Sequence, residues 1–134
     1  MSPELRPHPH FDDRGTLRWH TRWEEAWAEA RAAKKPLFVD IGRLQCPDCR
    51  VLIETVVPRP DVGPLLAEHF VSLAADCDEP EPEIDELVDH VEAVFALPIW
   101  VLAAPDGSFL AGSSGAVDPA ELRAALLRAC GEES

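Results

Sequence analysis

Residues 39–50 read VDIGRLQCPDCR, and how this stretch is interpreted decides the rest of the chain. With the preceding Pro36-Leu37-Phe38 it forms an apolar, β-forming run, "PLFVDIG", that lacks the polar alternation of a half-exposed strand. A strand buried on both faces, and therefore in the middle of a sheet, is predicted. The run carries one acidic side chain, Asp40, and breaks directly into Cys46 and Cys49, three positions apart. The following segment, "CRVLIETVV", has helical spacing, with Leu52, Ile53 and Val56 on one side and a stop at Pro58 and Pro60. The cysteine pair is thus placed where a buried strand ends and a helix begins. The unpaired N–H groups and positive dipole of a helix start favour an anion, so Cys46 is expected to be held partly as thiolate and to act as the nucleophile. Cys49, deeper in the first turn and better shielded, is expected to resolve. Pro47 suits the first turn because it has no N–H to leave unpaired.

Working outward, residues 1–14 hold Pro3, Pro7 and Pro9 among charges and read as a flexible lead-in, with one domain over residues 15–134. His8 and His10, beside Asp12 and Asp13, offer metal-binding atoms but read as solvated residues. "GTLRW" suggests a short strand, and Thr21 with Glu24 forms a capping box for a helix. Trp19, Trp23 and Trp27 recur at four-residue intervals, an apolar stripe along the helix, and are expected in the core. "DVGPLLAEH" reads as a short helix, "FVSLAAD" as a strand, and "IDELVDHVEAVF" as an amphipathic helix carrying Ile84, Leu87, Val88, Val91 and Phe95. Two apolar runs flank Pro105-Asp106-Gly107, a hairpin signal. Asp118-Pro119 opens a closing helix, with a cap, a proline at the first helical position and Glu121 in the first turn.

Composition narrows the function. A chain of 134 residues with 46% hydrophobic and 28% charged residues can build one substantial core. Its formal net charge of −13 repels phosphate backbones and anionic lipid, so neither nucleic acid nor a membrane is expected as a partner. No apolar run approaches the roughly 18 residues of a membrane span and the N-terminus has no apolar leader, so a cytoplasmic location is expected. Four cysteines are too few and too uneven for a disulfide framework. In a reducing compartment a close pair means redox or metal chemistry. A structural zinc site needs four ligands, and neither Cys77 nor Cys130 has a C-x-x-C partner, which favours redox over metal. Cys77, between Asp76 and Asp78, reads as an unreactive thiol, and Cys130 as a small core residue.

These residues together resemble the thioredoxin-like superfamily. The resemblance covers roughly residues 15–130 and rests on "VDIGRLQCPDC" at a strand-to-helix junction, the later "LPIW", the "PDGSFL" hairpin and the closing helix. It implies an α/β, three-layer fold with a mixed central sheet flanked by helices and an N-terminal strand and helix. It further implies a thiol–disulfide oxidoreductase with a redox-active Cys46–Cys49 couple, working on disulfide-containing proteins. An external thiol reductant or reductase would supply electrons, and no cofactor is expected. Asp40 stands where the family has a buried acid that exchanges a proton with the second cysteine. Pro98 matches the family's cis-proline. Leu97, Pro98, Pro47 and Gln45 are the implied substrate contacts.

Three departures qualify the match. Gln45 replaces the usual Trp, Pro47-Asp48 replaces Gly-Pro, and no lysine stands on the strand beside Asp40, where Ser72 is near the matching place. Asp48 would oppose the Cys46 thiolate and favour a reducing couple, with Arg50 offsetting part of this. The competing reading is a non-catalytic binding module: a zinc or copper carrier, or a redox sensor or adaptor.

Overall fold

The computed structural model describes residues 7–131 except Ala93 and Phe95. Its elements are β1 (Trp19–His20), α1 (Trp23–Ala33), β2 (Leu37–Gly42), α2 (Pro47–Val51), a π-helical turn (Leu52–Val56), α3 (Gly63–His69), β3 (Val71–Asp76), α4 (Pro82–Val88), β4 (Ile99–Ala103), β5 (Phe109–Ser114) and α5 (Pro119–Cys130). The strands form one mixed sheet in the order β1-β3-β2-β4-β5. β1, β3 and β2 run parallel, while β4 is antiparallel to both β2 and β5.

All six residues of β2 are buried, as the missing alternation predicts for the central strand. Its side chains separate onto two cores by the two-residue period of a strand. Phe38 joins Trp100, Leu102, Cys49, Leu52, Ile53, Leu66, Leu122 and Leu126 on one face. Leu37, Val39 and Ile41 join Trp23, Ala26, Ala30, Ile84 and Leu87 on the other. Helices α2, α3 and α5 therefore cover one side and α1 and α4 the other, which is the expected three-layer arrangement. Asp40 shares the parity of Phe38 and so points to the side of α2.

The β4–β5 hairpin turns on Gly107, whose φ of +92° suits glycine, and its N–H donates to the Ala104 carbonyl at 2.8 Å. α5 begins as expected, with the Asp118 carboxylate accepting from Ala120 N at 3.0 Å, and ends on Gly131 in the left-handed region.

Several expectations are corrected. Trp19 lies on β1 and belongs to the α2 side of the sheet, whereas Trp23 belongs to the α1 side, so the three tryptophans do not form one helical stripe. Trp27 is only half-buried, stacked beside Trp23 with Arg31 over its ring at 4.0 Å. The capping box is not formed. Arg22 occupies the N-cap position without a side-chain bond, and Glu81 accepts from Trp23 N at 2.7 Å instead. A tertiary acceptor has displaced the local one. α4 stops at Val88, short of the expected run, although Val91 remains buried; Phe95 lies outside the described residues.

The segment from residue 7 to residue 14 packs against the domain. His8, Phe11 and Asp13 are buried, which corrects the reading of this stretch as a solvated lead-in. Asp13 explains the anchoring. Its carboxylate accepts from Trp19 Nε1 at 2.8 Å, Leu17 N at 3.0 Å and Gly15 N at 3.1 Å. Phe11 enters the core that contains Cys49.

Candidate functional site

The C-terminal end of β2 and the start of α2 carry the site. Cys46 and Cys49 form a disulfide with Cα atoms 5.2 Å apart. Cys46 has extended backbone at the N-cap of α2, and Cys49 N donates to its sulfur at 3.1 Å. The cysteine sulfur thus occupies the place of an ordinary capping oxygen. Pro47 takes the first helical position.

Exposure separates the two sulfurs. Cys46 is partly exposed, while Cys49 is 1% exposed and sits in the core. Leu44, Gln45, Pro47, Arg50 and Val51 make an open, mainly apolar shelf around Cys46, with Leu44 57% and Val51 48% exposed. Gly42, missed in the sequence, has a steric reason to be there: a Cβ at that position would lie 2.8 Å from Cys49 Sγ. Only glycine lets the strand end come so close to the buried sulfur.

Asp40 is 3% exposed. Removing its carboxylate from water raises its pKa; the hydrogen bond with His8 acts the other way, and burial prevails. Asp40 and Cys49 line one cavity of about 240 Å³, together with His8, His10, Gly42 and Ala74.

The partner of Asp40 was not legible as such. His8 Nε2 lies 2.8 Å from Asp40 Oδ2. Ser72 does not replace the family's lysine: it pairs with Phe38, whereas Ala74 stands opposite Asp40 on β3. The partner arrives from the N-terminal segment instead. Two signals pointed there, an apolar Phe11 amid charged and proline residues and a buried acid without a counter-charge on the neighbouring strand.

The other implied residues occupy the same end of the sheet. The Leu97–Pro98 bond is cis, and Pro98 immediately precedes Ile99, the partner of Ile41 on β2. Leu97 packs against both cores. Cys130 is partly buried against the core rather than inside it. Cys77 is raised in pKa chiefly by burial, with Asp78 and Asp76 adding to the effect against Arg43. Among the described residues, the grouping able to hold a metal is Asp76, Cys77 and Asp78, and it includes neither Cys46 nor Cys49.

A family profile described as thioredoxin-like matches residues 18–105, most of the chain and all of the strand-to-helix junction. The chain belongs to the thioredoxin-like family. Among solved structures, it is similar to a thioredoxin from Thermus thermophilus, with 28% identity and a TM-score of 0.67 over 86% of this chain and 88% of that one. A putative disulphide-isomerase from Bacteroides thetaiotaomicron has the same fold, at 23% identity and a TM-score of 0.67 over 98% of this chain and 100% of that one. Spermatogenesis-associated protein 20 of Rattus norvegicus is 31% identical over 86 residues, which are 64% of this chain and 10% of the rat protein. The Homo sapiens counterpart is 31% identical over 69 residues, 52% of this chain and 9% of its own length. The chain therefore corresponds to about a tenth of these curated relatives. Among the described residues, no helix of this thioredoxin-like protein is long and apolar enough to cross a membrane.

Proposed function

We propose that this thioredoxin-like protein is a thiol–disulfide oxidoreductase that reduces disulfides in other proteins. The observation that carries the reading is the asymmetry of the couple: Cys46 is reachable at a helix start, and Cys49 is enclosed, lining the same cavity as Asp40. In the dithiol form, the Cys46 thiolate attacks a target disulfide, forming one mixed disulfide and releasing one target sulfur as thiolate. Cys49 then gives its proton to the Asp40 carboxylate and attacks Cys46 Sγ. The Cys46–Cys49 bond forms, the Cys46–target bond breaks, and the second target sulfur leaves as thiolate. Two electrons pass to the target and two protons restore its thiols. An external thiol reductant or reductase regenerates the dithiol.

The shelf of Leu44, Pro47 and Val51 beside Gln45 supports a protein target with apolar residues beside its disulfide, and the family resemblance adds Leu97 and Pro98 to that contact. The net charge of −13 favours neutral or basic targets. Arg50 lies over the Phe11 ring, with its guanidinium carbon 5.8 Å from the centroid, and remains beside the shelf. Dithiothreitol-driven insulin reduction tests the reading. Cys46→Ser is expected to abolish turnover, and undiminished turnover in that variant would refute the assignment.

A further inference from the structure

His8 is held from every side. Its ring stacks on Phe11 with centroids 5.6 Å apart and meets Trp19 edge-on at 4.9 Å. Its Nδ1 accepts two backbone N–H groups, from His10 at 3.1 Å and Phe11 at 3.2 Å. A nitrogen that accepts two such bonds carries no proton, so the imidazole is the neutral tautomer with its hydrogen on Nε2. Among the described residues, that hydrogen meets Asp40 Oδ2 at 2.8 Å. The other carboxyl oxygen, Oδ1, is buried and has no hydrogen-bond partner among the described residues.

We propose that His8 is the positioning residue of the site: the backbone turn at residues 8–11 fixes its tautomer, and its Nε2–H holds Asp40 through Oδ2, reserving Oδ1 for the proton exchanged with Cys49. The proposal rests on the oxidoreductase reading, in which Asp40 takes that proton. A hydrogen bond from a neutral donor favours the carboxylate over the carboxylic acid, so His8 keeps Asp40 able to ionise despite its burial. A lysine on the adjacent strand would do this with charge; a neutral imidazole does so without burying a second ion. The other groups lining the cavity are His10 from the same segment, Arg43 after β2, Cys49 on α2, Asp76 at the end of β3, and Glu79 and Glu81 beyond it. In the disulfide form Cys49 does not titrate, which isolates the Asp40 equilibrium from the coupled thiol.

The test is a carboxyl-carbon NMR titration of Asp40 in the disulfide form, assigned with Asp40→Asn, in the wild-type protein, His8→Phe and His8→Gln. Phenylalanine retains the ring packing without the donor, and the glutamine amide nitrogen can replace Nε2. The expected result is a midpoint raised by about one pH unit in His8→Phe and largely restored in His8→Gln, with the insulin-reduction pH profile moving in parallel. An unmoved midpoint in His8→Phe, or an equal rise in both variants, would overturn the proposal. Imidazole ¹⁵N spectra of the wild-type protein give a second reading that needs no substitution. The Nε2–H tautomer at neutral pH is expected, and an Nδ1–H or a charged ring would overturn the assignment. A midpoint shift in His8→Phe supports the proposal whether or not insulin is reduced, whereas a wild-type protein inert towards insulin overturns only the reductase reading.

Discussion

At the residue scale, Asp40 has opposing consequences for stability and chemistry. Its folded-state pKa lies above the unfolded value because burial disfavours the carboxylate. The unfolded chain therefore releases this proton more readily, and the stability associated with the protonated form, complete below the unfolded pKa, is lost as pH rises through the folded one. Asp40→Asn is expected to remove this component. Its melting temperature relative to wild type should rise as pH increases above the ordinary carboxylate range, as followed by circular dichroism. Chemically the same substitution removes the base. Turnover near neutral pH should fall by about tenfold to a hundredfold, with the deficit shrinking at alkaline pH as Cys49 ionises unaided. A parallel loss at every pH would contradict the role given to Asp40. The acid was visible in the sequence because an apolar strand has few reasons to contain one. Its donor was not, because His8 is 32 residues away and nothing local joins them.

At the scale of elements, legibility followed the chemistry of ends. The hairpin at Pro105-Asp106-Gly107 and the helix after Asp118 carry their own turn and cap residues, and both occur as read. The capping box at Thr21 failed because Glu81, from the segment entering α4, supplies a nearby acceptor for Trp23 N. Apolar spacing continued past Val88, but the helix did not, since buried Val91 can fill the core without helical backbone. The junction of β2 and α2 shows what motif spacing leaves out. Cys46 and Cys49 were recognisable from their separation, whereas the need for Gly42 comes from the sulfur above it. Gly42→Ala would place a methyl group 2.8 Å from Cys49 Sγ and 3.3 Å from Cys49 Cβ. The expected cost is about 1–3 kcal/mol in urea unfolding, because the first turn of α2 must shift. Slower mixed-disulfide resolution should accompany it, and an unchanged midpoint and rate would show that the helix start yields without penalty.

On the scale of the whole molecule, the three-layer fold follows from one fully buried strand whose alternate residues serve two cores, and that pattern could be read directly. The chain before β1 could not be read this way, because prolines and charges dominate its composition while a few side chains hold it to the domain. Asp13 is the anchor. Asp13→Ala leaves the buried Trp19 indole N–H and two backbone N–H groups without their acceptor, and should destabilise the protein by about 2–3 kcal/mol in urea unfolding. A loss well under 1 kcal/mol would indicate that the segment contributes little to the domain. All these contacts converge on one claim, that Cys46 and Cys49 act as a reversible couple. An equilibrium titration against reduced and oxidised glutathione, read by alkylation and mass, tests it most directly. Both cysteines are expected to pass together between dithiol and disulfide in one two-electron transition; thiols that alkylate independently, or show no transition across the range, would contradict a reversible couple.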